Sequence, residues 1–193
     1  MTLCERPCAR WRTSGTAIPR RLIRSIVCIF HKPNKSEEEA VEFYRKFLQR
    51  FKPRVEEIEV EDESGQKRRV KRFVFEEKLD CSGYVFTGIS SEDFDSPLMH
   101  ALFLRDVNLW KATFVNINLT GIEFQGKVDL FESSFESVDL SGAKFIEIDF
   151  SKSNVENTLF VRSKFEEAYF ISSTLRDVSF VDSTFGEVHF LDS

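Results

Sequence analysis

Cysteine is scarce in this chain. Cys4, Cys8, Cys28 and Cys81 are too few and too unevenly placed for a disulfide framework. Cys4-x-x-x-Cys8 has no second pair of Cys or His nearby, so a zinc site has no support; reduced thiols in a cytosolic protein are the plain reading. His31, His100 and His189 are widely separated in sequence. There is no glycine-rich phosphate loop, no Gly-x-Ser-x-Gly turn and no metal-ligand cluster. An enzyme is not expected, and no catalytic, metal or cofactor site is assigned. The apolar run Leu22–Phe30 is interrupted by Arg24 and falls far short of the roughly 20 residues that span a bilayer.

What is present is a period of five. From Leu104 it runs through Leu109, Phe114, Leu119 and Phe124. After one extra residue it resumes at Leu130 and continues to Phe190; eleven of these 18 positions are Phe, six Leu and one Val. Two residues before each lies a companion that is mostly small or β-branched, such as Val138, Ala143, Ser153 or Ser173. A helix would repeat every 3.6 residues and a flat strand every 2. Five fits a three-residue strand followed by a two-residue bend, with the central residue and its companion facing one side. Such units wind into a solenoid that must stack to bury its Phe.

Val138-Asp139-Leu140-Ser141-Gly142, followed by Ala143-Lys144-Phe145, resembles the A(D/N)LXX signature of the pentapeptide-repeat family. The resemblance implies an all-β solenoid: a right-handed quadrilateral β-helix with four pentapeptides per coil. It covers about residues 79–193, with a faint extension back through Cys81, Phe86 and Ser91, and a loop at about 92–99. The slip at Gln125-Gly126-Lys127 is expected to be a local bulge. Ser133, Ser153 and Ser173 align at twenty-residue intervals, and their hydroxyls are expected on backbone carbonyls rather than in catalysis.

Ahead of the repeats, residues 36–78 read as a small α+β cap. Ser36 and Glu39 form a capping box, Glu37 and Glu38 suit the helix N-terminus, and Pro53 stops the helix. Ala40, Phe43 or Tyr44, Phe47, Leu48 and Phe51 give it an apolar face. A hairpin follows, with a Glu-rich arm from Val55 and a Lys/Arg-rich arm from Lys67. Cross-strand charge pairing is the favoured account of Lys67–Arg72, against an address signal or phosphate contact. Residues 1–35 are basic, with six Arg and one acid in the first thirty. They read as a disordered tail or overextended start, a targeting leader, or a weak membrane-surface segment.

Net charge is +7 over residues 1–72, −5 over 73–103 and −7 over 104–193. Function must lie on the outer positions. At the residue after each central position, one corner aligns Trp110, Phe131, Ser151, Ile171 and Leu191, with Tyr169 and His189 on the same wall. The expected function is a non-enzymatic protein–protein interaction scaffold in the cytoplasm. Trp110, Phe131, Tyr169, Ile171 and Leu191 are its partner-binding stripe, facing another protein, a second copy of the chain, or the helix Phe43–Phe51. A homodimer could also form through the last coil, which the repeats leave without a cap, and the N-terminal segment leaves membrane association open. Direct nucleic-acid binding is not expected. The resemblance offers two alternatives: an acidic DNA-mimic rod that binds a type II topoisomerase, and the soluble part of a membrane channel or transporter.

Overall fold

The structure, a computed structural model, describes residues 28–61, 65–89 and 96–192. The basic segment before Cys28, Ser91 and residues 92–95 of the expected 92–99 loop lie outside these residues.

The helix α1 runs Glu37–Phe51. Both halves of the capping box form: the Glu39 amide donates to Ser36 Oγ at 3.3 Å and the Ser36 amide to Glu39 Oε2 at 3.0 Å. Lys52 closes it in the left-handed region, its amide on Leu48 O at 2.8 Å, just before Pro53. β1 (Arg54–Glu61) and β2 (Lys67–Phe75) form the antiparallel hairpin, pairing Glu56 with Arg72, Glu57 with Lys71 and Glu59 with Arg69. The basic arm therefore meets the acidic one as the charges require.

β2 then continues into the solenoid by pairing in parallel with β5 (Leu102–Phe103). The longer sheet continues from β5 through β8 (Glu123–Asp129), β10 (Lys144–Asp149) and β12 (Lys164–Ile171) to β14 (Thr184–Leu191). β3 (Leu79–Asp80) and β6 (Val107–Asn108) join it alongside β8. The opposite sheet stacks β4 (Val85–Thr87), β7 (Thr113–Val115), β9 (Ser134–Glu136), β11 (Asn154–Glu156) and β13 (Thr174–Arg176). The result is a β-solenoid of about four turns with one short helix at its start.

Phe ladders fill the interior. On the first wall Phe75, Phe103, Phe124, Phe145, Phe165 and Phe185 stack at 4.6, 4.7, 5.5, 5.0 and 5.0 Å between ring centroids. On the second, Phe150, Phe170 and Phe190 follow at 5.0 and 5.1 Å. The third begins with Phe86, Phe114 and Phe135, at 4.8 and 4.6 Å. The small companions leave room for these rings. Their hydroxyls go to carbonyls, as expected: Ser153 Oγ donates to Leu130 O at 2.7 Å and Ser173 Oγ to Phe170 O at 2.8 Å. Ser133 Oγ instead meets Ser153 Oγ at 3.0 Å.

Three corners turn through the left-handed region, each as a stacked column of residues with φ between 49° and 68°. These columns hold Gly83, Lys111, Glu132, Lys152, Ser172 and Asp192; Asn116, Ser137, Asn157 and Asp177; and His100, Gly121, Gly142, Arg162 and Asp182. The conformation is costly for a side chain. It holds because amides on the corner bond carbonyls of the next coil, as Lys111 does to Phe131 O at 3.0 Å and Gly121 to Ser141 O at 2.8 Å. The fourth corner, between the first and second walls, is not such a turn. There β8, β10, β12 and β14 run through as one extended strand, so the three-plus-two unit does not hold at this corner.

The bulge is also not a single event. Phe124 to Leu130 is six residues, and so are Phe103 to Leu109 and Phe75 to Cys81. These units lie one above another, with Val107 against Val128 and Leu79 against Val107. A lone extra residue would leave its neighbours unpaired, so the bulge is repeated in three successive coils. The inside residues of that rung are therefore Ala101 and Phe103, both buried, whereas Leu102 and Leu104 are half-exposed. Packing is tight at the bulge, and the Lys127 amide donates to Asp106 Oδ1 at 3.1 Å.

Helix α1 covers the start of this column. Phe43 packs edge-on to Phe86 at 5.4 Å, and Phe47 meets Phe75 at 5.7 Å. Its apolar face is consumed there, so it does not cover the outer stripe. Lys35 closes the same end: Nζ donates to Lys32 O at 2.8 Å and Val85 O at 2.5 Å, above the Phe43 ring. Burial lowers its ammonium pKa to about 8.

Candidate functional site

The corner between the second and third walls carries the stripe. Backbone bonds tie it into one column: Gly83 N donates to Trp110 O at 2.8 Å, Lys111 N to Phe131 O, Glu132 N to Ser151 O, Lys152 N to Ile171 O and Ser172 N to Leu191 O. Trp110 is 43% exposed and Leu191 61%. Phe131 and Ile171 are half-buried and Ser151 is buried. Two lysine stems lie across the aromatic members: Lys111 Nζ is 4.5 Å from the Trp110 ring centroid, and Lys152 Nζ is 5.1 Å from that of Phe131. These ammonium groups gain from the ring faces while their stems cover apolar surface.

The repeat's Asp/Asn position explains how this corner is set. Asn108, Asp129 and Asp149 accept from the amides of Trp110, Phe131 and Ser151, at 3.0, 3.0 and 2.8 Å. Each carboxylate or amide oxygen thus fixes the turn that displays the next side chain. Asp139 does the same for Ser141 at 2.9 Å. Tyr169 and His189 occupy this column without that role. Their rings stack at 4.7 Å and 9°, and the strand runs on to Ile171 and Leu191. In these last coils the strand pairing thus extends up to the corner itself, which still turns at Ser172 and Asp192.

Acidic groups border it. Glu147, Glu167 and Glu187 are aligned by strand register beside Lys127. Lys127 Nζ bonds Glu147 Oε1 at 2.6 Å, Tyr169 OH donates to Glu167, and His189 Nε2 lies 3.3 Å from Glu187 Oε1. The hydrogen bond to Glu167 raises the Tyr169 pKa to about 12.

Another concave surface lies where the hairpin projects past the solenoid. It encloses about 710 Å³ between Arg68 and Glu61 on one side and His100, Asp139, Leu159 and Arg162 on the other. Sequence reasoning missed it, because nothing in the sequence fixes the angle at which the hairpin leaves the first coil. Nearby, Arg72 Nη2 reaches Glu123 Oε2 at 3.1 Å. Burial pushes the Glu123 carboxyl pKa up, but Lys144 and Arg72 outweigh it and hold the group below its usual range. Among the described residues no group of three or more His, Cys, Asp and Glu could hold a metal ion. No helix among them is long and apolar enough to cross a membrane.

Stacked coils, central Phe or Leu, small companions and Asx-fixed corners define a β-solenoid built from five-residue units. The chain carries pentapeptide repeats: the family model of that description matches in eight copies over residues 133–177. No curated protein matches the chain. Among solved structures it is similar to a trypsin-treated form of QnrB1, described as a plasmid-mediated fluoroquinolone resistance protein. The identity is 16%, over 57% of this chain and 74% of that chain, with a TM-score of 0.15.

Proposed function

We propose that this repeat scaffold is a non-enzymatic protein-binding module whose recognition surface is the column Trp110, Phe131, Ile171 and Leu191 with Tyr169 beside it. One contrast carries the reading. At the equivalent outer position of the third wall stand Val115, Glu136, Glu156 and Arg176, the last two ion-paired at 3.6 Å. The second wall instead places large apolar groups in a continuous hydrogen-bonded column, which a solvated wall does not need. A flat, rigid, partly aromatic strip flanked by Lys111 and Lys152 suits a protein partner with apolar anchors and acidic neighbours. The cytoplasm is the proposed compartment, consistent with free thiols at Cys28 and Cys81. Ion pairs of solenoid acids with Lys111, Lys127, Lys144 and Arg176 favour this reading over an acidic DNA mimic.

The test compares wild type with Phe131→Ser/Ile171→Ser. Both positions are outer and half-buried, so the double variant should keep a cooperative melt. It is expected to lose the proteins that wild type captures from its own cells, or to lose dimer mass in light scattering if the partner is a second copy. Unchanged capture together with unchanged mass would sink the assignment.

A further inference from the structure

We infer that the column of Trp110, Phe131, Ile171 and Leu191 docks on the same column of a second copy of the chain, about a two-fold axis parallel to the solenoid. This rests on the reading of that column as a recognition surface, and it names both the partner and its orientation.

The ground is that the column is flanked by opposite charges at its middle. On the third-wall side, the residue after each outer position is Lys111, then Glu132, then Lys152. Lys111 and Glu132 are already paired at 3.1 Å. Lys152, in the central coil, is exposed and lies over the Phe131 ring, and no carboxylate among the described residues pairs with it. On the second-wall side, the same coil carries Asp149, whose Oδ1 fixes the Ser151 turn, and behind it Glu147. Glu167 and Glu187 continue that acidic flank in the next two coils. Basic edge, apolar ridge and acidic edge therefore lie side by side across the middle of the column.

A two-fold contact joins the same patch on both copies, and two orientations of the axis are possible here. An axis across the column makes the solenoids antiparallel and sets each flank against itself. At mid-height Lys152 would then face Lys152, and Asp149 and Glu147 would face their own counterparts. An axis along the column makes the solenoids parallel and sets each flank against the other. Lys152 then stands level with the second copy's Asp149 and Glu147, while Trp110 meets Trp110 and Phe131 meets Phe131. Charge complementarity selects this parallel arrangement. The lysine stems over the two rings are compatible with it, because their ammonium groups turn toward an acidic flank while the stems cover apolar surface. From Trp110 to Leu191 the column spans four strand spacings, about 19 Å. A strip of that length is at the small end of specific interfaces, so association in the micromolar range is expected.

The test is a charge swap in trans, with Lys152→Glu and Glu147→Lys made separately in the full-length chain. Each variant imports a residue that its column already carries one coil earlier, Glu132 in the first case and Lys127 in the second, so both should melt cooperatively. Sedimentation equilibrium across the micromolar range should give a wild-type dimer. Each variant alone should dissociate about tenfold more readily or worse, because like charges then meet twice across the axis. An equimolar mixture of the two variants should recover the wild-type dimer, because each reversed charge meets its opposite in the other chain. A wild type that stays monomeric into roughly the hundreds of micromolar overturns the inference, and so does a mixture that recovers nothing. If Lys152→Glu pairs with wild type more tightly than wild type pairs with itself, the copies are antiparallel and the inference falls. If wild type is monomeric while Phe131→Ser/Ile171→Ser abolishes capture of other proteins, the scaffold reading stands and the self-docking alone falls. If the mixture recovers dimer while that double variant captures and assembles as wild type does, the flank pairing stands and the apolar column is not the recognition surface.

Discussion

Phe165→Ala measures how much one rung of the ladder contributes. Phe165 is 1% exposed, stacked at 5.0 Å on both Phe145 and Phe185, with Phe160 edge-on at 5.6 Å. Truncating a fully buried Phe costs about 3–5 kcal/mol, a large share of the roughly 5–15 kcal/mol that holds a typical domain together. For a chain of this size that is a fall in melting temperature of roughly 6–20 °C. Phe185 provides the internal control. It belongs to the same column but is 41% exposed, with its ladder stack only on the Phe165 side. Phe185→Ala should therefore cost about 1.5–2.5 kcal/mol, near half the buried value. Urea and thermal unfolding followed by far-ultraviolet circular dichroism give both numbers. Equal shifts for the two variants, or less than about 1 kcal/mol for Phe165→Ala, would refute the claim that two-sided stacking dominates stability.

Gly126→Ala should cost about 1–3 kcal/mol, because its Cβ would meet Arg105 C at 2.5 Å and Asp106 N at 2.6 Å. Gly142→Ala meets nothing within 4 Å but sits at φ +67, so only the roughly 1 kcal/mol conformational cost is expected; urea midpoints separate the two. Asp129→Ala removes the acceptor of the Phe131 amide and should cost about 1 kcal/mol, with exchange of that amide accelerated in hydrogen-exchange experiments. The Lys35 ammonium, held by burial at about 8 against an ordinary 10.5, gives a pH signature. As pH rises through 8 the folded state sheds this proton before the unfolded state does, so stability should increase between pH 8 and about 9.5. Near pH 9 Cys81 and near pH 10 Tyr44 oppose the gain, because burial keeps both groups protonated in the fold while the unfolded chain ionises. Lys35→Met should abolish the rise; an unchanged slope would show that another group causes it.

The five-residue period was fully legible from Leu109 onward, because spacing alone decides which side chains face inward. It misassigned the rung before that. Phe103 and Leu104 are both apolar, so hydrophobicity could not choose between them; only the identical six-residue steps in adjacent coils do. Phe75 was read as hairpin, since a strand that starts in a hairpin and ends in a coil has one continuous β pattern. The outer column followed from counting by twenties, and so did the neighbouring Tyr169 and His189. Their stacking was not foreseen. Nor was the partial cover of Trp110 and Phe131 by lysine stems, because it depends on rotamers chosen at left-handed corners. The groove beside the hairpin depends on a direction in space that no local pattern encodes.

The stacked bulge divides the solenoid into two gauges. Apart from the first coil, which spans twenty-eight residues from Phe86 to Phe114, coils up to β8 advance by twenty-one residues, as between Phe114 and Phe135, and those from β10 onward by twenty, as between Phe145 and Phe165. The change of gauge falls at one joint, where the pairing of β8 with β10 shifts register between Phe145 and Glu147. Lengthening such a column by duplication is therefore quantised. A twenty-residue copy inserted below that joint continues the existing track and creates no new mismatch. The same copy inserted above it would introduce two further joints, each leaving a bulge without a partner.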